Sequence, residues 1–119
     1  MNLKEQTYSP DEMEKWWTYA KHPDFKVRWS IFAKRNVPYE IPVEILAYLA
    51  NDKDWVIRVE VASSARTPLE ILKQLILDGV YGVQASVWQN PNCTDEIRLL
   101  YLANKKYGHL TKCHKSHTV

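Results

Sequence analysis

The sequence predicts a repeat fold built chiefly of helical segments, and two observations carry that prediction. The first is self-similarity at a fixed period, the signature of repeat architectures. Pro42, Pro68 and Thr94 are followed by Glu44, Glu70 and Glu96 and then by Ile45, Ile71 and Ile97, each copy 26 residues from the last. Phe25, Trp55 and Tyr81 form an aromatic column, Val27, Ile57 and Val83 an aliphatic one, and Arg28, Arg58 and Gln84 a polar one. The extra residues between the first two copies fall in NVPYEIP, residues 36–42, where two prolines mark a loop. The second observation is apolar spacing at i, i+3 and i+4 beside helix-start signals.

Each element follows from these signals. Ser9 is an N-cap, Pro10 suits the first helical position, and Met13, Trp16, Trp17 and Ala20 line one face of residues 10–21. Residues 24–35 form a shorter helix with Val27, Ile31 and Phe32 on one side. A longer helix follows over 42–50, with Ile45, Leu46 and Leu49 inward, then a short one over 54–63 with Ile57, Val61 and Ala62. The pattern recurs in a long helix at 68–77, capped by Thr67 and using Ile71, Leu72, Leu75 and Ile76, and in a short one at 80–89. Thr94 caps a last helix over 95–106, with Ile97, Leu100 and Tyr101 inward. The short segments also alternate, as in Ile57, Val59 and Val61, so a strand reading competes with the helical one. Strands there would make an α/β horseshoe of the leucine-rich-repeat kind.

The repeating pattern D-x-x-V-R followed by P-x-E-I-L-x-x-L resembles the variant leucine-rich repeat, a relative of the HEAT-like helical repeats. The resemblance covers residues 24–103 and rests on Asp24, Val27 and Arg28 with Pro42, Glu44, Ile45, Leu46 and Leu49, and on Asp54, Ile57, Arg58 and Ala62 with Pro68, Glu70, Ile71, Leu72 and Leu75. The third copy departs from it, with Gln84 for the arginine, Thr94 for the proline and Arg98 for the leucine, as in a capping repeat. The resemblance favours helix in the short segments and implies an all-α fold, a short right-handed α-solenoid of alternating short and long helices. Some members of that family carry an N-terminal cysteine cluster holding iron and sulfur; this chain has no cysteine before Cys93, so no cofactor is expected.

Composition bounds the rest. The 45% apolar and 25% charged fractions are those of a globular domain, expected here as one unit over 1–106, with repeats at about 10–35, 36–63, 64–89 and 90–106. Residues 107–119 are expected to form a basic, flexible tail. No run approaches the ~20 apolar residues of a membrane span, and acids stand where a signal peptide needs an apolar core, which points to a cytoplasmic protein. Cys93 and Cys113 are too sparse for a disulfide framework. His109, Cys113 and His117 recur at helical spacing and could bind zinc, but zinc motifs usually bring two separated ligand pairs, and no metal is expected.

No G-x-S-x-G, H-E-x-x-H or phosphate-binding glycine loop occurs, and there are only 3 glycines. A glycosylase-like cleft would need a longer and more basic chain, so no enzyme is expected. The expected function is a protein-binding module, a bacterial regulatory adaptor or a toxin-neutralising protein being two forms of it. The rival is nucleic-acid binding through Lys21, Lys26, Arg28, Lys34, Arg35, Arg58 and the tail, against which a net charge of only +2 counts. Arg28 and Arg58 admit two readings. Repeated charges in such stacks often fix turns, here by pairing with Asp24, Asp52 or Asp54. If they point outward instead, they form one wall with Lys26, Lys53 and Trp55, and that wall is the candidate interaction surface. Adjacent Trp16 and Trp17 cannot both face inward, which makes Trp17 a further contact candidate.

Overall fold

The computed structural model describes residues 8–33 and 41–116, with side chains to Lys105. Seven helices form among the described residues: α1 (Pro10–Ala20), α2 (Phe25–Ala33), α3 (Val43–Leu49), α4 (Trp55–Ser63), α5 (Leu69–Leu75), α6 (Tyr81–Trp88) and α7 (Asp95–Ser116). The fold is all-α. No strand occurs among the described residues, which removes the horseshoe alternative: Ile57 and Val61 are both fully buried, as i, i+4 neighbours on one helical face are, whereas Val59 between them is half-buried.

The expected alternation of lengths is reversed. The segments read as short, α2, α4 and α6, have 9, 9 and 8 residues, whereas α3 and α5, read as long, have 7 each. Pro42 and Pro68 explain the difference at one end, because each is extended and serves as N-cap rather than first turn. Thr67 does not cap α5. Its hydroxyl donates 2.6 Å to the Val61 carbonyl and is buried in the α4–α5 connection. Two caps form as expected. Ser9 and Glu12 make a reciprocal capping box at α1, and the Ile97 amide donates to Thr94 Oγ1 at α7. α7 continues to Ser116, past the boundary expected at 106.

Successive helices pack in pairs, α1 with α2, α3 with α4 and α5 with α6, and the second members pack on one another in the order α2, α4, α6. α4 and α6 make the most extensive of these contacts. The smallest extent, 21 Å, is about two helix diameters, so the molecule is two helices deep. Between the rows lies one continuous core of Ile45, Leu46, Leu49, Ile57, Val61, Leu72, Leu75, Val83, Val87 and Ile97, all buried. These are the residues the helical spacing places inward. None of the five tryptophans belongs to it: Trp16, Trp17 and Trp88 are half-buried at its margin, and Trp29 and Trp55 are exposed. Branched aliphatics fill the narrow space between the rows instead.

Candidate interaction surface

The turns that join the rows are built alike. His22 Nδ1, Asp52 Oδ1 and Asp78 Oδ1 each accept the backbone N–H two residues on, the local bond by which such side chains close turns. The carbonyls of these three residues are capped from within their own layer by the side chain six positions later: Arg28 Nη1 at 3.0 Å, Arg58 Nη1 at 2.7 Å and Gln84 Nε2 at 2.7 Å. Each arginine then reaches into the next layer. Arg28 makes a forked pair with Asp52, through Nε at 2.8 Å and Nη2 at 3.1 Å, and Arg58 grips Asp78 through Nε at 2.8 Å and Nη2 at 3.2 Å. The result is an unbroken ladder from His22 to Gln84.

This ladder decides between the two readings of the arginine column. Arg28 and Arg58 do lie in successive layers, but they face inward, so their assignment to an outward wall is corrected. Arg28 is 5% exposed and spends all five N–H donors on Asp52, Asp54 and the carbonyls of His22 and Pro23. Its hydrogen bonds to Asp52 hold the guanidinium pKa above its ordinary value, against the opposite pull of burial. A buried guanidinium left unpaired would be costly, which is why the partners sit at fixed repeat positions. The partner of Arg58 is Asp78, not the Asp52 or Asp54 expected from sequence. Asp78 was legible all the same: it stands 26 residues from Asp52, in the same register as the other columns.

The remaining candidates do not share one wall. Lys26 is exposed on α2, and Lys53 is exposed in the α3–α4 turn with no partner among the described residues. Lys53 borders a hollow of about 360 Å³ with Lys21, His22 and Tyr48. Trp17 is half-buried and stacks edge-on against Tyr48, ring centroids 5.4 Å apart, with the Lys21 ammonium 5.0 Å from its own ring centre. It serves the packing of α1 on α3 and not an exposed contact. Trp55 is exposed on α4.

Around Trp55 lies a surface that sequence reasoning used only to set the register. On α4, Ile57 and Val61 are buried in the core, Val59 is half-buried against its margin, and Trp55 is exposed. The positions equivalent to Trp55 and Val59 are Phe25, half-buried against the core, and Trp29 on α2, and Tyr81 and Ala85 on α6. Trp29 is 38% exposed, Trp55 49% and Tyr81 72%, which makes one aromatic row across three stacked helices. Each ring is steadied by the layer after it. Trp29 Nε1 donates 3.1 Å to Glu60, and Trp55 lies so close over Gly82 that an added Cβ would sit 3.4 Å from its ring. Beyond Tyr81 the row opens into a groove of about 240 Å³ bordered by Gln84, Trp88, Gln89 and Tyr101. Trp88 and Tyr101 meet edge-on there, centroids 5.7 Å apart.

Among the described residues no three histidine, cysteine or acidic side chains are placed to hold a metal ion. The zinc reading of His109, Cys113 and His117 falls on side chains outside the described residues. No helix among the described residues is long and apolar enough to cross a membrane. Comparison of the chain with known protein families, curated proteins and solved structures finds no match.

Proposed function

We propose that the protein is a non-catalytic binding module that docks another protein on the aromatic row of α2, α4 and α6. One observation carries this reading: exposed aromatics recur at one repeat position in two successive layers, Trp55 and Tyr81, with a third, Trp29, one turn further along the preceding helix, where a fold seeking only solubility would place polar residues. Aromatic side chains supply the area and rigidity that interface cores use. The resemblance to variant leucine-rich repeats supports the same conclusion, since a stacked helical superhelix presents side chains from successive layers to one partner. The close packing of α4 on α6 favours the even-numbered helices as the inner side of the curve. A cytoplasmic adaptor or toxin-neutralising role is consistent with such a module.

Nucleic-acid binding is the weaker reading. Arg28 and Arg58, central to it, are committed to aspartates and cannot reach phosphates without breaking the ladder. The test compares wild type with a Trp55→Ala/Tyr81→Ala variant in partner capture from native lysate, with duplex DNA and RNA titrated alongside at rising salt. Loss of the captured partner from a variant that keeps its helical spectrum is the expected result. Nucleic-acid affinity that falls steeply with salt and ignores the two substitutions would reverse the conclusion.

A further inference from the structure

The geometry points to a left-handed extended, proline-rich segment as the occupant of the aromatic row, lying across α4 and α6 and ending in the groove of Tyr81, Trp88 and Tyr101. This rests on the protein-binding reading above and names the form of the partner. Its first support is a match of lengths. Packed helices stand about 8–10 Å apart, so the row offers one aromatic per interval of that size. A polyproline II helix brings every third residue to the same side at about 3.1 Å per residue, a repeat of about 9 Å. Side chains on one face of a β-strand recur at about 6.5–7 Å, out of step with the layers, whereas an α-helix repeats a face at about 10.5 Å every seven residues and is separated from the polyproline form by the chemistry of the groove.

The chemistry of the groove agrees. Its polar groups include donors with no partner among the described residues: the indole N–H of Trp88, the hydroxyl of Tyr81 and the amide of Gln89. An α-helical ligand spends its carbonyls internally and would leave those donors idle. A polyproline II segment has no internal hydrogen bonds, so its carbonyls point outward, and prolines add flat apolar faces for the rings. The lining carries no charged side chain. Its rim is basic, with Arg98 stacked 5.3 Å from the Trp88 ring centre and Lys105 5.8 Å from that of Tyr101, set against Asp95 beside Arg98. Acidic residues flanking the prolines complete the complementarity.

The experiment titrates two peptides into the full chain and follows the tryptophan indole N–H signals by NMR. One is a dodecapeptide with proline at every third position and glutamate at both ends; the other has alanine in place of each proline, so that it favours helix. Saturable shifts of the Trp55 and Trp88 indoles with the proline peptide are expected, weakened about tenfold or more by Tyr81→Ala, as for an interface anchor. Weaker binding of the alanine peptide is expected alongside. Equal or tighter binding of the alanine peptide at the same indoles overturns the inference while leaving the row as a protein-binding surface. Binding of neither peptide overturns the inference, and the lysate capture by wild type and the double variant then decides the broader reading separately.

Discussion

At the scale of single residues, the ladder of arginines and aspartates holds the largest concentrated energies. Arg28 and Asp52 are 6% and 4% exposed at their side chains, against 18% and 11% for Arg58 and Asp78. Removing one partner of a buried pair leaves an uncompensated charge and costs about 3–5 kcal/mol. Asp52→Ala leaves Arg28 with Asp54 and two carbonyls, and Asp78→Ala leaves Arg58 with one carbonyl at a site water reaches more readily. Each is therefore expected to lower the unfolding free energy in a urea titration by no more than about that amount, and a loss of only a few tenths in either variant would contradict the burial argument. Cys93 gives a second residue-scale expectation. Burial pushes its thiol above the usual range, chiefly by desolvation, with Arg98 opposing. A raised folded value means that the neutral thiol is favoured in the folded state. Its contribution is therefore fully present below the ordinary thiol pKa of about 8.5 and is lost as pH rises through the raised one. In a Cys113→Ser background, the difference in stability between Cys93 and Cys93→Ser is expected to be constant to about pH 8 and to shift against Cys93 above it. A difference that stays constant through the alkaline range would exclude the buried thiol as its source.

At the scale of elements, repetition and spacing located every structured segment and the inward residues of α3, α4 and α5, but not whether the short segments were helix or strand, nor which long side chains fold back. Ile45, Leu49, Ile57, Val61 and Leu72 declare themselves because a buried aliphatic has one option. Leu72, fully buried in α5, is the clearest case, and Leu72→Ala is expected to cost about 2–5 kcal/mol by thermal or urea unfolding. A cost of a few tenths would mean that this face is not packed. An arginine beside such a face has two options, and the choice is set by what the next layer presents. Arg58 turns inward because Asp78 waits 20 residues ahead, in a turn that sequence alone reads merely as a break between helices. Thr67 illustrates the same limit: the hydroxyl suits an N-cap, yet the Val61 carbonyl at the end of α4 competes for it and wins. Two members of the aromatic row, Trp55 and Tyr81, were visible in a repeating column with Phe25, whereas Trp29 stands one turn outside that column. The row's exposure was not visible, because an aromatic at a repeat position is as readily a core residue until the opposite face is known to be filled by Ile57 and Val83.

At the scale of the whole molecule, layers that touch chiefly their neighbours make stability a sum of layer terms and interface terms. The ladder then has a role beyond its local energy. Arg28 with Asp52 ties the first layer to the second, and Arg58 with Asp78 ties the second to the third, so each pair acts at one junction. Breaking a junction weakens the coupling across it more than the packing within either side. In Asp78→Ala, hydrogen exchange by mass spectrometry is expected to show α6 and the start of α7 opening at lower free energy than α1 and α2, which keep their paired arginine. Asp52→Ala/Asp54→Ala, which removes both carboxylates from Arg28, should reverse the order, with α1 and α2 opening first and α6 retaining its protection. This contrast separates a stack of coupled layers from a single cooperative core, in which substitution at either site would lower the protection of every helix together. Uniform loss of protection in both variants would therefore show that the continuous core between the rows, and not the ladder, sets the cooperative unit.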